Sequence, residues 1–191
     1  MQTAIALIDS PALSAGNEQE KLEALRTLIA GLGSVIVAYS GGVDSAFLMK
    51  VAHDVLGEQA LAVTANSPSI AQKELEAAQS LAQQVGARHL TIHTHELENP
   101  NYVANSPQRC YFCKSELFDR LSALAAARGY DWVLDGYNTD DVGDFRPGEQ
   151  AARERNVRSP LREVGMTKAD IRALSQQMGL PTWDKPAMAC L

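Results

Sequence analysis

The segment Ser40–Ser45, with the sequence Ser-Gly-Gly-Val-Asp-Ser, has the residue types of a phosphate-binding loop. It follows an apolar run that ends at Tyr39 and precedes a run of helix-forming residues. Two adjacent glycines let the backbone turn sharply and present bare amide groups to an anion. The helix that follows points its positive amino end at the same place, and the serines add hydroxyl donors.

Two features keep the interpretation of this loop open. No lysine follows it, as one would in a Walker A loop, and Asp44 suits a phosphate site only if it orders the loop or meets a metal ion. An ordinary strand–turn–helix junction is the alternative, because Gly-Gly turns are common. The coincidence of a strand, two glycines, two serines and an acid favours phosphate binding.

The three cysteines are the second group of residues suited to chemistry. Cys110 and Cys113 lie three residues apart at the start of a predicted helix, so both side chains lie on one face. The helix amino end and the flanking Arg109 and Lys114 favour thiolates. With Cys190 the count is odd and no secretory signal is recognisable, which argues against a disulfide framework.

These thiols are compatible with more than one chemistry. A structural zinc site takes four ligands, and the candidates for a fourth, His89, His93 and His95, have no ligand-like spacing to the cysteine pair. Three thiolates suit a [4Fe–4S] cluster with one open iron. A persulfide or dithiol relay suits the same residues equally well.

Acidic residues are concentrated from Asp135 to Asp144, directly after an apolar run. Carboxylates at a strand end, opposite a phosphate loop, can hold a hard cation bound to phosphate oxygens. Gly136 would leave room for a nucleotide, although Asp, Asn and Gly also favour plain turns. Arg146 and Arg158 are candidates for an anionic substrate, because arginine binds carboxylate and phosphate bidentately.

Short apolar runs alternate along the chain with longer amphipathic segments, which predicts strands separated by helices. Such strands form a parallel sheet with helices on both faces, so we predict a Rossmann-like α/β fold that binds ligands beyond the carboxyl ends of its strands. Glycines 57, 86 and 129 have the C′ position of helix ends, and Thr167 and Asp170 have N-cap spacing. The predicted strands are 34–39, 60–65, 89–93 and 132–135, and the predicted helices are 18–32, 45–56, 71–85, 111–128 and 168–178.

Charge and composition narrow the class of partner. The 191-residue chain has a net charge of −6 and a pI of about 5.2, which argues against nucleic-acid binding through a broad basic surface. No stretch reaches the ~18 apolar residues of a membrane span, and the first residues do not resemble a signal peptide. We therefore expect a cytoplasmic protein without a membrane partner, with residues 1–17 as a loose arm and 18–191 as one domain.

The loop sequence after a strand resembles the signature of the PP-loop ATP pyrophosphatases, which have a Rossmann-like, HUP-type sheet and include the GMP, NAD and asparagine synthetases. The resemblance implies that the loop holds the pyrophosphate half of ATP while a substrate oxygen attacks the α-phosphate. Asp44 would lie near Mg²⁺ and pyrophosphate, and we assign Asp141 to the same ion. The residues expected at the nucleotide are Ala38, Ser40, Gly41, Gly42, Val43, Asp44, Ser45, Ala65, Asn66, Ser67, Gly136, Asp141 and Arg146.

A longer match is similar to the LarE-type ATP-dependent sulfur transferases, and it runs from about residue 20 to the last residue. It rests on segments 37–45, 62–68, 109–114, 144–148 and 183–190. The resemblance implies an enzyme of nickel-pincer nucleotide biosynthesis that adenylylates a carboxylate of a nicotinate-derived dicarboxylate mononucleotide and replaces AMP with sulfur.

The resemblance also assigns roles to the thiols. Cys190 matches the family's sulfur-bearing cysteine, which in one branch gives up its own sulfur and becomes dehydroalanine. In another branch three cysteines hold a cluster that carries an exchangeable sulfide. Cys110 and Cys113 place this chain nearer the second branch, with all three cysteines as the expected [4Fe–4S] ligands.

One departure from the family pattern affects these expectations. LarE-type chains continue for a further domain with substrate-phosphate arginines, metal ligands and oligomer contacts, so we expect either a fragment or a stand-alone ATPase domain with impaired sulfur transfer. A homo-oligomer stays an open expectation. Alternative functions are a tRNA-thiolating enzyme, a nucleotide-binding module without pyrophosphate release, and an amide-forming synthetase, whose chemistry does not require the cysteine pair.

Overall fold

One four-stranded parallel sheet, in the order β3-β2-β1-β4, forms the centre of the protein. The computed structural model describes residues 18–67, 70–95, 98–104, 107–141 and 147–186, so the expected arm at 1–17 lies outside the described residues. All four predicted strands are confirmed, with ends that differ from the prediction by a single residue. They are β1 Val35–Ala38, β2 Ala60–Asn66, β3 Arg88–His93 and β4 Trp132–Leu134.

The central strand β1 is buried on both faces, which is why its sequence is continuously apolar. Val35 and Val37 belong to one hydrophobic cluster, and Ile36, between them, belongs to another. Successive side chains of a strand point to opposite faces of a sheet. Each cluster is completed by helices, so the predicted arrangement of helices on both faces is confirmed.

The helices divide into two layers. The first layer packs on Val35 and Val37 and includes the buried apolar sides of α1, α2, α3 and α8. The second layer packs on Ile36 through α5 and α6. The helices are α1 Glu18–Ala30, α2 Val43–Leu56, α3 Gln72–Val85, α4 Pro100–Val103, α5 Arg109–Arg128, α6 Pro147–Glu154, α7 Pro160–Glu163 and α8 Lys168–Gln177.

Several helices begin and end at the capping residues that the sequence predicts. Gly86 and Gly129 follow α3 and α5 with φ of 79° and 73°, the left-handed conformation that glycine adopts without steric cost. The capping box of α8 is present, because Thr167 accepts from the Asp170 backbone and Asp170 accepts from the Thr167 backbone. In the part of the chain that the structure describes, no helix is long and apolar enough to cross a membrane.

Three short helices, α4, α6 and α7, were not predicted. All three open on a proline, and in the sequence the pairs Asn99-Pro100, Pro147-Gly148 and Ser159-Pro160 favour turns. Helices α2 and α5 also begin two residues earlier than predicted. As a result Asp44, Ser45 and Cys110 lie in the first turns of helices.

The strand order creates a crevice at one edge of the sheet. From β1 the chain builds β2 and β3 on one side, and β4 then pairs with β1 on the other side. Ligands in open α/β sheets bind where this direction reverses, outside the carboxyl ends of the strands. The segments that follow β1 and β4, which contain residues 39–42 and 135–141, therefore meet at this point.

Candidate functional site

The turn between β1 and α2 requires a glycine at position 41. Gly41 is buried and has a φ of 75°, and a Cβ atom built on it would lie 3.0 Å from the Cβ of Ala78. The left-handed conformation is costly for residues with a side chain. Helix α3, which carries Ala78, therefore packs directly against the loop backbone and leaves room only for glycine.

Hydroxyl groups hold the loop in its turned shape. The backbone N–H of Ser40 donates to Ser45 Oγ at 3.2 Å, and the two serine hydroxyls lie 3.1 Å apart. Ser45 also donates to the Gly42 carbonyl at 3.2 Å. Gly42 is the N-cap residue of α2, and no side chain caps this end of the helix. The first amides of α2 are thus available to an anion, which is the role expected for segment 40–45.

The segment after β4 lies against the start of α2. A Cβ atom built on Gly136 would lie 3.1 Å from the Ser45 backbone nitrogen and 3.3 Å from the Asp44 Cβ. Asn138 donates from its side-chain amide to Asp44 Oδ1 at 3.4 Å, and its backbone N–H donates to Asp141 Oδ2 at 3.1 Å. The structure therefore brings Asp44 together with Gly136 and Asp141, which lie 92 and 97 positions further along the chain.

Asp44 and Asp141 form a partly buried acidic pair. Burial raises the pKa of the Asp44 carboxyl above its ordinary value, Lys168 opposes this rise, and the charge of Asp141 adds to it. A carboxylate whose ionisation is disfavoured by burial and by a second carboxylate is a position that a divalent cation would stabilise. This donor set fits the magnesium ion that the sequence predicts.

Two lysines at this site were missed in the sequence. Lys168 forms an ion pair with Asp44 Oδ2, and its backbone N–H donates to Asp140 Oδ2 at 2.7 Å. Lys185 donates to the Gly41 carbonyl at 3.2 Å. For Lys168 the only local signal in the sequence was the capping box of α8. It places Lys168 at the start of a helix but does not indicate which residues that helix packs against.

The end of β2 lies at the same edge of the sheet as the loop. Ala38 of β1 pairs in register with Val63, so Ala65 and Asn66 extend beyond the end of β1 at the ligand side of the sheet. Ser67 is buried, and the Asn66 carbonyl accepts from Thr94 at 3.4 Å. These positions are suited to line a pocket beside the loop.

Cys110 of the cysteine pair lies beside Tyr137, in the segment that follows β4. Cys110 is exposed and Cys113 is half-buried, and neither forms a disulfide. A Cβ atom built on Gly148 would lie 2.8 Å from the Tyr137 hydroxyl, 3.0 Å from Lys114 Cγ and 3.3 Å from Cys110 Sγ. Gly148 thus lies where the side chains of Cys110, Lys114 and Tyr137 come together, and its lack of a Cβ lets them pack against its backbone.

The ligand candidates among the described residues do not join the pair. Among the described residues no group of three or more His, Cys, Asp or Glu side chains is placed to hold a metal ion. His89 Nε2 is 2.8 Å from Thr64 Oγ1, and His95 Nδ1 lies 3.5 Å from Glu98. Cys190 and Arg146 lie outside the described residues. Arg158 pairs with Glu163 and lies over the Trp132 ring, 5.2 Å from its centroid.

Asp135 is a buried carboxylate between these two groups of residues. Only 3% of it is exposed, its Oδ1 accepts from the Tyr137 backbone at 3.2 Å, and among the described residues its Oδ2 has no hydrogen-bond partner. Burial raises the pKa of Asp135 to about 6, against the opposing effects of Ser159, the Tyr137 backbone, Lys114 and Arg162. Sequence analysis noted this residue only as part of the acidic segment.

The fold and the loop define a class of protein. Residues 21–119 match the model of the NAD synthase family, and the chain belongs to this family of PP-loop ATP pyrophosphatases. The NH3-dependent NAD synthetase of Campylobacter jejuni has the same fold, with a TM-score of 0.70 and 18% identity over 89% of this chain and 78% of that one. The predicted Rossmann-type fold is confirmed.

Curated relatives are more similar in sequence. The Synechocystis protein slr1717 is 55% identical over 173 residues, which cover 91% of this chain and 65% of that protein. The pyridinium-3,5-bisthiocarboxylic acid mononucleotide synthase of Lactiplantibacillus plantarum is 40% identical over 165 residues, which cover 84% of this chain and 60% of the synthase. The chain thus spans somewhat less than two thirds of the length of the curated relatives it matches.

Proposed function

We propose that the protein is an ATP-dependent, AMP-forming sulfur transferase that acts on a pyridine mononucleotide carrying carboxylates. The observation that supports this most is the strand-end segment 136–141. Its Gly136 packs against the phosphate loop, and its Tyr137 packs beside Cys110 at Gly148. A nucleotide-activating centre and a thiol are therefore neighbours, as two consecutive reactions on one substrate would require.

The first reaction is adenylylation. A substrate carboxylate oxygen attacks the α-phosphorus of ATP, a P–O bond forms, and the bond to the β-phosphate oxygen breaks with loss of pyrophosphate. The loop amides of residues 41–43 and the amino end of α2 bind the departing phosphates. Asp44 and Asp141 would hold Mg²⁺, which neutralises phosphate charge when bound. Lys168 would pass from Asp44 to a phosphate oxygen once the metal pairs with Asp44.

The second reaction replaces AMP with sulfur. A sulfur nucleophile attacks the acyl carbon, and the carbon–oxygen bond to AMP breaks with the electron pair leaving on AMP. Where Cys190 is that nucleophile, the resulting thioester releases the thiocarboxylate when its Cβ–Sγ bond breaks with loss of the α-proton, which converts Cys190 to dehydroalanine. Cys110 and Cys113 would hold two corners of a [4Fe–4S] cluster with Cys190 as third ligand, and when bound such a cluster supplies an exchangeable sulfide.

The described thiols fit that role by their chemistry and placement. Both lie on one face at the amino end of α5, one exposed and one half-buried. The relative that is 40% identical is named for forming a bisthiocarboxylic acid mononucleotide. That name supports a pyridinium dicarboxylate mononucleotide as the substrate class proposed for this protein.

Pyrophosphate release tests the proposal. With ATP, Mg²⁺ and a pyridinium dicarboxylate mononucleotide, we expect stoichiometric AMP and pyrophosphate, and a product whose mass shows oxygen replaced by sulfur. Asp44→Asn should lower the pyrophosphate rate at least about 100-fold, because a charge that holds the metal at the leaving group is lost. Asp54→Asn, on the exposed side of the same helix, is the control and should leave the rate within about twofold.

The cysteine assignment has its own measurement. Protein purified without oxygen should show a broad absorption band in the blue, with iron and acid-labile sulfide in cluster ratio, and Cys110→Ser should lose both. A wild-type protein without iron that still transfers sulfur would rule out the cluster and leave a persulfide or a sacrificial Cys190. Pyrophosphate release without any sulfur-containing product would contradict the proposed transferase activity.

A further inference from the structure

Lys185 bridges the phosphate loop and helix α3. Its Nζ donates to the carbonyl oxygen of Gly41 at 3.2 Å and to Glu74 Oε2 at 2.5 Å. The lysine side chain is 23% exposed and that of the glutamate 31%. The lysine therefore lies against the loop with a fixed partner on each side, unlike a solvated surface lysine.

The backbone that carries Lys185 is held independently. Arg172 of α8 donates to the carbonyl oxygens of Trp183 and Lys185, at 2.8 Å in each case. Lys185 also donates from its backbone to the Thr182 carbonyl at 3.0 Å. Because its main chain is anchored to α8, the ammonium group is presented to the loop with little freedom to move away.

The contact lies at the carbonyl end of the Gly41–Gly42 peptide unit, inside the loop expected to hold phosphate. The Gly41 carbonyl and the Gly42 N–H belong to one peptide group, Gly42 is the N-cap residue of α2, and its N–H donates to Ser40 Oγ at 3.4 Å. A cation at the oxygen of a peptide group polarises it and makes its N–H a stronger donor, as in other chains of hydrogen bonds at low dielectric. The lysine also adds a positive charge close to the loop in a chain of net charge −6.

We propose that Lys185 is a positioning residue for the phosphate chain of ATP, acting through the Gly41–Gly42 peptide without touching the nucleotide. This inference rests on the proposed function, because it takes ATP as the ligand of the loop. Glu74 has the opposite sign of effect, since its carboxylate neutralises the lysine while it orients the ammonium group. The pair tunes the affinity of the loop for anions.

Binding of ATP, pyrophosphate and adenosine to the full chain, measured by calorimetry, tests the inference. Lys185→Met should weaken ATP and pyrophosphate binding about tenfold, the scale of one lost charge-assisted contact, and change adenosine binding less than about twofold. Lys185→Arg should restore most of the ATP affinity. Glu74→Gln should tighten ATP binding about two- to threefold, and higher salt should shrink both charge effects.

Lys73→Met is the matched control, because Lys73 is an exposed lysine next to Glu74 on the same helix. It removes the same charge without the contact to Gly41. Equal ATP affinity for wild type and Lys185→Met, an equal loss for adenosine, or the same loss for Lys73→Met would overturn the inference. A wild-type chain that binds neither ATP nor pyrophosphate would instead remove the proposed function, and with it the inference. If Lys185→Met does not fold, the sign of the Glu74→Gln effect decides.

Discussion

The phosphate loop and the cysteine pair lie near different residues of segment 136–141, the loop near Gly136 and Cys110 near Tyr137. The two regions use different chemical groups. The loop uses backbone groups, and its shape is set by Gly41, by the Ser45 hydroxyl and by packing on Ala78. The cysteine pair uses side chains on a single helix, with Cys110 exposed. The geometry of the loop backbone follows from the fold. The chemistry open to the two thiols depends instead on which residues other segments place beside them.

The two regions also differ in how many of the proposed site residues they bring together. The described residues include the loop, two carboxylates and two lysines around one crevice, and these are the groups that the proposed nucleotide and cation site would use. They include two thiols and no larger group of metal-ligating side chains. The nucleotide half of the site is therefore tested by changes in the loop, and the sulfur half by changes at the contact between Tyr137, Gly148 and Cys110.

The largest expected effect is on stability and comes from Asp135, which lies between the two regions. Burial raises its pKa from an ordinary value of 3.8 to about 6, so the folded state binds this proton more tightly than the unfolded state. Its contribution to stability is complete below about pH 4 and is lost as the pH rises through 6. At about 1.4 kcal/mol per pKa unit, the loss is about 3 kcal/mol.

Asp135→Asn should remove that pH dependence, since asparagine keeps an acceptor for the Tyr137 N–H and has no proton to lose. Urea denaturation at pH 4, 5, 6 and 7 measures it, and the variant should gain stability relative to wild type as the pH rises. Asp184→Asn, which removes an exposed carboxylate, controls for the change in net charge. Parallel stability curves for wild type and Asp135→Asn would contradict this account.

Gly41→Ala tests the role of the backbone turn in the phosphate loop. Alanine in the left-handed conformation costs about 1–2 kcal/mol, and its Cβ would lie 3.0 Å from that of Ala78. If the loop shifts to relieve this contact, ATP affinity should fall about 30-fold, which corresponds to about 2 kcal/mol. The cysteine pair should be unaffected, as judged by the rate of alkylation.

Gly165→Ala is a control that separates the effect of backbone strain from the effect of changing the phosphate loop. Gly165 also has a left-handed φ, 71°, but a Cβ atom there would have nothing within 4 Å. The variant should lose a similar stability from backbone strain and keep ATP affinity within about twofold. Equal losses of ATP binding in both variants would mean that the Gly41 effect is global destabilisation.

Gly148→Ala tests the surroundings of the cysteine pair and has the smallest expected effect. A methyl group would enter the space between the Tyr137 hydroxyl, Lys114 and Cys110 Sγ. We expect alkylation of Cys110 by a maleimide, followed by peptide mass spectrometry, to slow about three- to tenfold by steric obstruction. ATP affinity should stay within about twofold, because the loop lies near Gly136, a different residue of the segment.

Two features make this last test specific. Alanine inside a helix is favoured over glycine by about 0.5–1 kcal/mol, so the intrinsic preference of α6 opposes general unfolding. Gly31→Ala is the control, since a Cβ atom there would meet its nearest neighbour, the Leu28 carbonyl, at an ordinary 3.4 Å. An unchanged alkylation rate in Gly148→Ala would show that the space beside Cys110 is not confined.

Most of the fold could be predicted from the sequence because its signals are local. The apolar runs of β1 to β4 and the helical periodicity of α1, α3 and α8 need only neighbouring residues to be recognised. The short helices α4, α6 and α7 were missed because each opens on proline, and α6 is largely polar. Their stability comes from packing, as in the contact of Ala151 and Ala152 with the second core cluster.

By itself the sequence determined the phosphate loop, the acidic segment and the placement of Cys110 and Cys113 on one helix face. It did so because each depends on residue types at short, fixed spacings. Three contacts are visible only in the tertiary structure. Lys168 forms an ion pair with Asp44, Lys185 donates to the Gly41 carbonyl, and Gly148 packs against Cys110. The two lysine contacts join residues 124 and 144 positions apart. Such pairs follow from strand order and helix packing, and no periodic pattern in the chain records them.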